Sequence, residues 1–150
     1  MIKFTSILLF LATVNCCFAF WSPCPGGLPA PSRVVSPFCD AIICNAQRGT
    51  ILTAEADFTT TAAHTFLDTR LSTTILGLPV TLPMDPGMED ACQFLVPGCP
   101  TLVNGMHTLM LNAPVPTGFP AISNVNIRIE LVDPTMNRIA MCAIVRANII

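Results

Sequence analysis

Charged side chains are scarce in this chain of 150 residues, and lysine is almost absent from it. Asp, Glu, Lys and Arg together make up 11% of the sequence, less than half of the roughly 25% that is usual for globular proteins. Lys3 is the single lysine, and the formal net charge is −2. Nucleic acids and acidic surfaces are held by clustered cations. The composition therefore argues against nucleic acid as a partner.

The sequence also has little of the chemistry that catalysis or a metal site requires. Neither His64 nor His107 lies at a zinc-ligand spacing from another histidine or cysteine, and no nucleophile motif accompanies them. Asp57, Asp68 and Glu130 fall on the outward faces of predicted strands, where solvated charge is usual. We therefore predict that the protein is not an enzyme and that it holds no metal and no cofactor.

Residues 1–19 have the pattern of a secretory signal peptide, with a positive Lys3, an apolar run and a small-residue cleavage site. After them, no apolar run approaches the roughly 20 residues of a membrane-spanning helix. We predict a signal peptide over 1–19, a mature domain over 20–150 and secretion to extracellular fluid. Sorting to lysosomes through the chain's own N-glycans is not expected, because the mature chain has no Asn-x-Ser/Thr sequon.

Cysteines are plentiful for a chain of this size. Cys16 and Cys17 belong to the predicted signal peptide, which leaves an even number in the mature chain. An even number in an oxidising compartment indicates three disulfides, although six cysteines allow many pairings and sequence alone does not choose among them. The mature cysteines are Cys24, Cys39, Cys44, Cys92, Cys99 and Cys142.

Strict alternation of apolar and polar residues predicts most of the secondary structure. The alternating or apolar segments are residues 52–58, 67–75, 106–111, 124–131 and 138–149. Turn signals separate them, a proline-rich extended arm precedes them, and no helix of three turns is indicated. Roughly six or seven short strands in this arrangement predict an all-β, immunoglobulin-like antiparallel β-sandwich.

One stretch late in the chain combines a proline-rich half with an alternating half. Pro114, Pro116 and Pro120 exclude a central strand from the first half, because proline lacks the N–H that a sheet ladder needs. That half also contains Val115 and Phe119, and we interpret it as a stiff apolar lip at the edge of a sheet. Such a lip suits either the entrance of a cavity or a lid over a filled core.

The cysteine order and three proline-containing motifs together resemble one known family. The mature cysteines form a lone first cysteine, two close pairs and a last cysteine near the chain end. The motifs are G-L-P-V-T-L-P at residues 77–83, C-P at 99–100 and P-V-x-x-x-F-P at 114–120. This combination resembles the ML (MD-two-related lipid-recognition) superfamily, in particular the Niemann-Pick type C-two sterol carriers and the group-two mite allergens, over residues 23–149.

The resemblance implies a disulfide pairing and a ligand site. The implied bridges are Cys24–Cys142, Cys39–Cys44 and Cys92–Cys99. Ligands of the family lie between the two sheets and enter at the proline-rich edge. Crosslinks of this kind can compensate for a core that is left incomplete by a cavity.

Individual residues of the site follow from positions in the family motifs. Leu82 stands where sterol carriers commonly have phenylalanine, Val115 keeps the family valine, Phe119 replaces a tyrosine and Pro120 keeps the proline. The entrance is then wholly apolar. The replacements at positions 82 and 119 argue against a specificity for cholesterol and leave fatty acids, other sterols and hydrophobic semiochemicals open as ligands. The residues predicted to bind lipid are Phe58, Leu71, Ile75, Leu82, Val115, Phe119, Pro120, Ile122, Val125, Ile127 and Ile129; the alternative is that they form ordinary sandwich core.

The resemblance therefore predicts a secreted, monomeric lipid-binding and transfer protein that holds a sterol, a fatty acid or a similar hydrophobic ligand between two β-sheets. Contact with a membrane or a receptor during transfer is part of this hypothesis. Two alternatives remain open: a lipid-presenting interaction module of innate immunity, and a chemosensory carrier of hydrophobic semiochemicals. A large exposed apolar patch away from the cavity mouth would favour the interaction module.

Overall fold

Two β-sheets face each other in this protein. The structure is a computed structural model that describes residues 19–150, so the predicted signal peptide, apart from its last residue, lies outside the described residues. A single turn of 3-10 helix spans Ala91–Phe94, and no helix among residues 19–150 is long and apolar enough to cross a membrane. In chain order the strands are β1 (Trp21–Pro23), β2 (Arg33–Val35), β3 (Cys44–Ala46), β4 (Ile51–Thr59), β5 (Asp68–Ile75), β6 (Leu78–Thr81), β7 (Leu95–Val96), β8 (Met106–Pro114), β9 (Ile122–Asp133) and β10 (Arg138–Ile149).

The long strands form where apolar and polar side chains alternate, because successive side chains of a strand point to opposite faces. In β5, Thr69, Leu71 and Thr73 are buried, whereas Arg70 and Thr74 are exposed. Alternation in the sequence likewise marks β4 and β9, whereas β10 is mainly apolar and buries Ala140–Ala143 in succession; all three lie close to their predicted positions. Each of these strands therefore has one face turned toward the other sheet.

The first sheet has the order β1-β10-β9-β5-β6, with β3 also paired to β10, and the second has the order β2-β4-β8-β7. The predicted all-β sandwich is confirmed, although β3 runs parallel to β10, with Cys44 opposite Ala147. The described strands number ten rather than six or seven. The additional ones are short: β1, β2 and β3 have three residues each and β7 has two.

Three segments differ in detail from their predicted form. The proline-rich arm contains β1 and β2, each held by pairing with a long strand. Residues 77–83 include the edge strand β6, which pairs with β5 alone. The proline-rich lip is a loop that connects the end of β8, at Pro114, with the start of β9, at Ile122, and so passes from one sheet to the other.

The apolar interior is divided into two clusters. One contains Phe58, Leu67, Leu109, Leu131 and Met141, and lies toward the end of the sandwich where β9 finishes. The other contains Cys44, Val125, Val145, Ala147 and Ile149, and lies toward the lip. Full burial of one large apolar side chain stabilises a fold by about 1.5–3 kcal/mol, so both clusters hold the sheets together.

Three disulfides join the cysteines in the pairing that the family resemblance implied. Cys24–Cys142 ties the segment after β1 to the centre of β10 across 118 residues of sequence. Cys39–Cys44 closes a short loop before β3, and Cys92–Cys99 closes another around β7. The first bridge constrains the chain most, because the loop that it closes is by far the longest.

Candidate functional site

An apolar cavity of about 80 Å³ lies between the two sheets, near the lip. Its walls come from both sheets and from the segments that follow β6 and β8. None of the lining side chains is charged or polar. The lining residues are Cys44, Ala46, Leu52, Leu71, Leu82, Pro83, Leu111, Ala113, Pro114, Val115, Phe119, Ile127, Ile129, Val145, Ala147 and Ile149.

A second apolar space of about 40 Å³ adjoins this cavity on the side away from the lip. The two spaces share five wall residues, and the second extends toward Ala56, Leu109 and Met141 in the core. Together they form an elongated slot between the sheets. The shared residues are Cys44, Leu52, Leu111, Ile129 and Val145.

The cavity explains an incomplete burial in the centre of the first sheet. Ile127, Ile129 and Leu131 lie on the same inward face of β9, which is flanked by β10 and β5. Leu131 is fully buried in the core, whereas Ile127 and Ile129 are only half-buried. A filled sandwich would bury all three, because the positions differ only in how far along the strand they lie. The two isoleucines pack against the buried clusters on one side and line the cavity on the other, which leaves part of their surface uncovered.

The lip at the cavity entrance is fixed by backbone hydrogen bonds to the loop between β3 and β4. The Gly49 N–H donates to Val115 O over 2.7 Å, and the Val115 N–H donates to Thr50 O over 2.9 Å. Gly49 has φ +79°, and a Cβ atom there would lie 3.1 Å from Thr117 Cγ2. Glycine is suited to this position both by its left-handed backbone and by the close approach of the lip.

Six of the residues that were predicted to bind lipid line the cavity, and five lie elsewhere. Leu71, Leu82, Val115, Phe119, Ile127 and Ile129 surround it. Phe58 is buried in the core cluster beyond the slot. Val125 is buried in the cluster near the lip, and Ile122 packs against that cluster. Pro120 is exposed, and Ile75 is half-buried beside an outer groove of the first sheet.

Several cavity residues were not among the predicted ones. The clearest are Val145, Ala147 and Ile149, which occupy alternate positions on the inward face of β10. Their spacing of two residues was visible in the sequence, and pairing with β9 places them opposite Ile127 and its neighbours. Leu111 and Ala113 follow the same rule on β8. The alternation therefore indicated which face of the strand these residues occupy, but it did not indicate which of them lie at the level of the cavity.

Both histidines lie away from the cavity. His64 is buried with its Nδ1 atom 2.9 Å from Asp133 Oδ2, and His107 donates from Nδ1 to Pro97 O over 2.8 Å. Within residues 19–150, no group of three His, Cys, Asp or Glu side chains is arranged to hold a metal ion. The cavity thus presents apolar surface alone, which suits the binding of a hydrophobic molecule and offers no group for acid–base or nucleophilic chemistry.

A two-sheet β-sandwich with an apolar cavity between its sheets is the architecture of a small-ligand-binding domain. Residues 20–149 match the family model of the ML domain. The chain therefore belongs to the ML-domain family, which confirms the family resemblance of its sequence.

Two solved structures are similar in fold. The crystal structure of a Niemann-Pick type C2 protein from Japanese carpenter ant has a TM-score of 0.73 at 18% sequence identity, and the match covers 87% of this chain and 98% of that one. Chicken MD-1, solved in complex with lipid IVa, has a TM-score of 0.51 at 14% identity, and the match covers 84% and 85%. No sequence among the curated proteins matches the chain significantly.

Proposed function

We propose that this protein is a secreted carrier that holds one hydrophobic ligand between its sheets and transfers it. The observation that carries the proposal is the half-burial of Ile127 and Ile129 on the inward face of a central strand. Membership of the ML-domain family supports it. The similarity in fold to MD-1, which was solved with a lipid, adds support for a lipid as the ligand class.

The free energy of binding would come from burial of apolar surface, at roughly 25 cal/mol for each Å² removed from water. No chemical step is needed. The cavity volume of about 80 Å³ is below the roughly 300–1,000 Å³ of typical small-molecule sites, so the slot must widen when a lipid enters. The wall beside Leu82 and Pro83 is suited to this movement, because both residues follow the short edge strand β6.

Transfer requires contact with a donor or an acceptor of lipid, and the turn between β5 and β6 is suited to touch a lipid surface. Leu76, in this turn, is 98% exposed and has φ 51°, a conformation that leucine rarely adopts. Leu78 beside it is also exposed. The turn lies next to the start of β9, at the same end of the sandwich as the lip. Because the Leu76 side chain makes almost no contact within the protein, we infer that it contacts a lipid surface during transfer.

Secretion is part of the proposal because the disulfide bonds of the protein are consistent with it. Three disulfides are stable in the secretory pathway and rare in the cytosol. The predicted signal peptide over residues 1–19 would deliver the chain there. Expression in insect or mammalian cells, followed by N-terminal sequencing of protein from the medium, tests both points. A chain retained in the cell with its first residues intact would contradict them.

An interaction module is the second candidate, and one specific surface favours it. The end of the sandwich opposite the lip exposes four apolar side chains, each more than half accessible: Val96, Leu102, Val103 and Met106. No charged residue occurs from residue 91 to residue 127. Exposed apolar patches often mark binding sites for other proteins. A receptor complex that persists after delipidation would bring this function to first place.

Native mass spectrometry of the mature protein, with its disulfides formed, tests the carrier function directly. Co-purified lipid is then extracted and identified. We expect a stoichiometric hydrophobic ligand, or uptake of a fluorescent sterol or fatty-acid probe by the delipidated protein. Protein that carries no lipid and takes up neither probe would overturn the proposal.

A further inference from the structure

We propose that Arg48 binds the carboxylate of a single-chain lipid acid at the cavity mouth, and thereby selects a fatty acid over neutral lipids. This inference rests on the proposed carrier function and names the ligand class for the same site.

Arg48 is held beside the lip by the loop between β3 and β4. Its backbone N–H donates to Ile150 O over 2.8 Å, while the next residue, Gly49, bonds to the lip at Val115. The side chain reaches the lip as well, because Nη1 lies 3.4 Å from the carbonyl oxygen of Phe119, a residue that lines the cavity. The guanidinium group is therefore placed at the entrance and remains accessible to solvent.

Arg48 places a cation beside a cavity whose lining carries no charged side chain. Among residues 19–150 it is the one charged side chain that is hydrogen-bonded to the lip. Within residues 19–150, no carboxylate oxygen forms an ion pair with its guanidinium group, whereas Arg33 and Arg128 are paired with acidic side chains. The N–H groups that do not face Phe119 are free to donate to a ligand.

The chemistry of the cavity determines where the head of a ligand can lie. All lining side chains are apolar, and burial of an unpaired charge or polar group among them would cost several kcal/mol. The polar head of an amphiphile must therefore stay at the mouth, where Arg48 lies. A guanidinium group binds a carboxylate through two parallel hydrogen bonds, and a hydroxyl or an ester offers no matching negative charge.

The shape of the slot favours a flexible chain over a rigid ring system. The two adjoining spaces measure about 80 Å³ and about 40 Å³ and extend from the lip toward Met141. An acyl chain is narrow and can enter such a slot with less separation of the sheets than a sterol nucleus requires. The narrow slot and the position of Arg48 thus both favour a fatty acid as the ligand.

Palmitic acid, methyl palmitate and cholesterol serve as probes in a competition assay with a fluorescent fatty acid, at neutral pH and low salt. The wild-type protein is compared with Arg48→Gln and with Arg146→Gln. Arg146 is a matched control because it is exposed on the outer face of β10, between two cavity-lining residues. The assay is repeated at high salt, which screens an exposed ion pair.

We expect the wild type to bind palmitic acid more tightly than its methyl ester, and Arg48→Gln to weaken binding of the acid about fivefold, the upper range for an exposed ion pair. Ester binding should not change, Arg146→Gln should behave as wild type, and high salt should reduce the preference for the acid. Equal loss of acid and ester in Arg48→Gln would assign Arg48 a structural role and overturn the inference. Two further outcomes would overturn the role of Arg48 and leave the carrier function in place. One is equal affinity of the wild type for palmitic acid and methyl palmitate, and the other is stoichiometric binding of cholesterol with no uptake of palmitic acid. Failure of the wild type to bind any probe would overturn the carrier function as well.

Discussion

His64 Nδ1 lies 2.9 Å from Asp133 Oδ2, and both side chains are buried at the end of the sandwich remote from the lip. The Thr101 N–H donates to His64 O, and the His64 N–H donates to Thr101 Oγ1, each over 2.9 Å. The other oxygen of Asp133 accepts hydrogen bonds from Thr135 and Met136. Asp133 therefore joins the β9–β10 turn to the β4–β5 connection, and His64 extends this link to the loop after Cys99.

Removal of the Asp133 charge should destabilise the protein strongly. In Asp133→Asn, the buried carboxylate that accepts hydrogen bonds from Thr135 and Met136 and contacts His64 is lost, and loss of a hydrogen bond to a charged group costs about 1.5–3 kcal/mol. Urea unfolding followed by fluorescence or circular dichroism measures the change. Asp85→Asn is the control, since Asp85 is exposed, and it should alter the unfolding free energy by less than about 0.5 kcal/mol. Equal stability of the two variants would show that the pair does not stabilise the fold.

The same carboxyl should make stability depend on pH in the acid range. The Thr135 hydroxyl is the first cause that holds the pKa of Asp133 well below its ordinary value of 3.8; burial opposes this shift, and hydrogen bonds from His64, Met136 and Thr135 N–H add to it. A depressed folded-state pKa contributes stability that is complete above the unfolded-state value and is lost as the pH falls toward the folded-state value. The difference in unfolding free energy between wild type and Asp133→Asn should therefore shrink below about pH 4. A difference that grows on acidification would contradict this account.

The long strands were predictable because they have a local signal, whereas the short strands were not. Alternation marks β4, β5 and β9 in the sequence itself, and a long apolar segment after a turn signal marks β10. Strands of three residues, such as β1 and β3, owe their conformation to pairing with β10, which lies about a hundred residues away or more. Such pairing is a property of the folded chain, and no window of sequence contains it. The parallel direction of β3 was out of reach for the same reason.

The candidate site was predictable by face and not by depth. Phe58 and Leu52 alternate onto the same side of β4, yet Phe58 is in the core and Leu52 lines the cavity. The period of a strand assigns a residue to a face, while the separation of the two sheets at that level decides between core and cavity. His64 and Asp133 are 69 residues apart in sequence, so nothing local indicated their contact.

The three disulfides should contribute unequally to stability. In the loop-entropy model, removal of Cys24–Cys142 by the double substitution to serine costs about 4–5 kcal/mol, and removal of Cys92–Cys99 costs about 2 kcal/mol, because the bridges close 118 and 7 residues respectively. Thermal and urea unfolding of the two double variants measures the difference. A larger loss for the short bridge would show that native-state contacts, not chain entropy, dominate.

A charge at the lip should prevent lipid binding and leave the fold intact. Phe119 is half-buried in the loop that forms the cavity entrance. Phe119→Asp would place a charge among apolar side chains at this entrance and would compete with a lipid carboxylate for Arg48, which lies beside it. We expect at least a tenfold loss of fatty-acid affinity with little change in Tm. Phe66→Asp, at an exposed position outside the cavity lining, should bind as wild type. Normal binding by Phe119→Asp would place the entrance elsewhere.

A larger side chain placed in the slot should distinguish an open cavity from a loosely packed core. Ile129 lines both spaces between the sheets, so Ile129→Phe can place its extra carbon atoms in open volume and raise the unfolding free energy of delipidated protein by about 1 kcal/mol. The same ring would block the slot, and fatty-acid affinity should fall at least tenfold.

Leu131→Phe is the matched control for this substitution, because Leu131 lies two residues away on the same face of β9 and is fully buried in the core cluster. There the added volume has no space, and overpacking should destabilise the protein by about 1–3 kcal/mol. The two variants are compared by urea unfolding and by the same fatty-acid titration. If Ile129→Phe destabilised the protein as much as Leu131→Phe, the interior would be filled at both positions and the carrier function would lose its principal support.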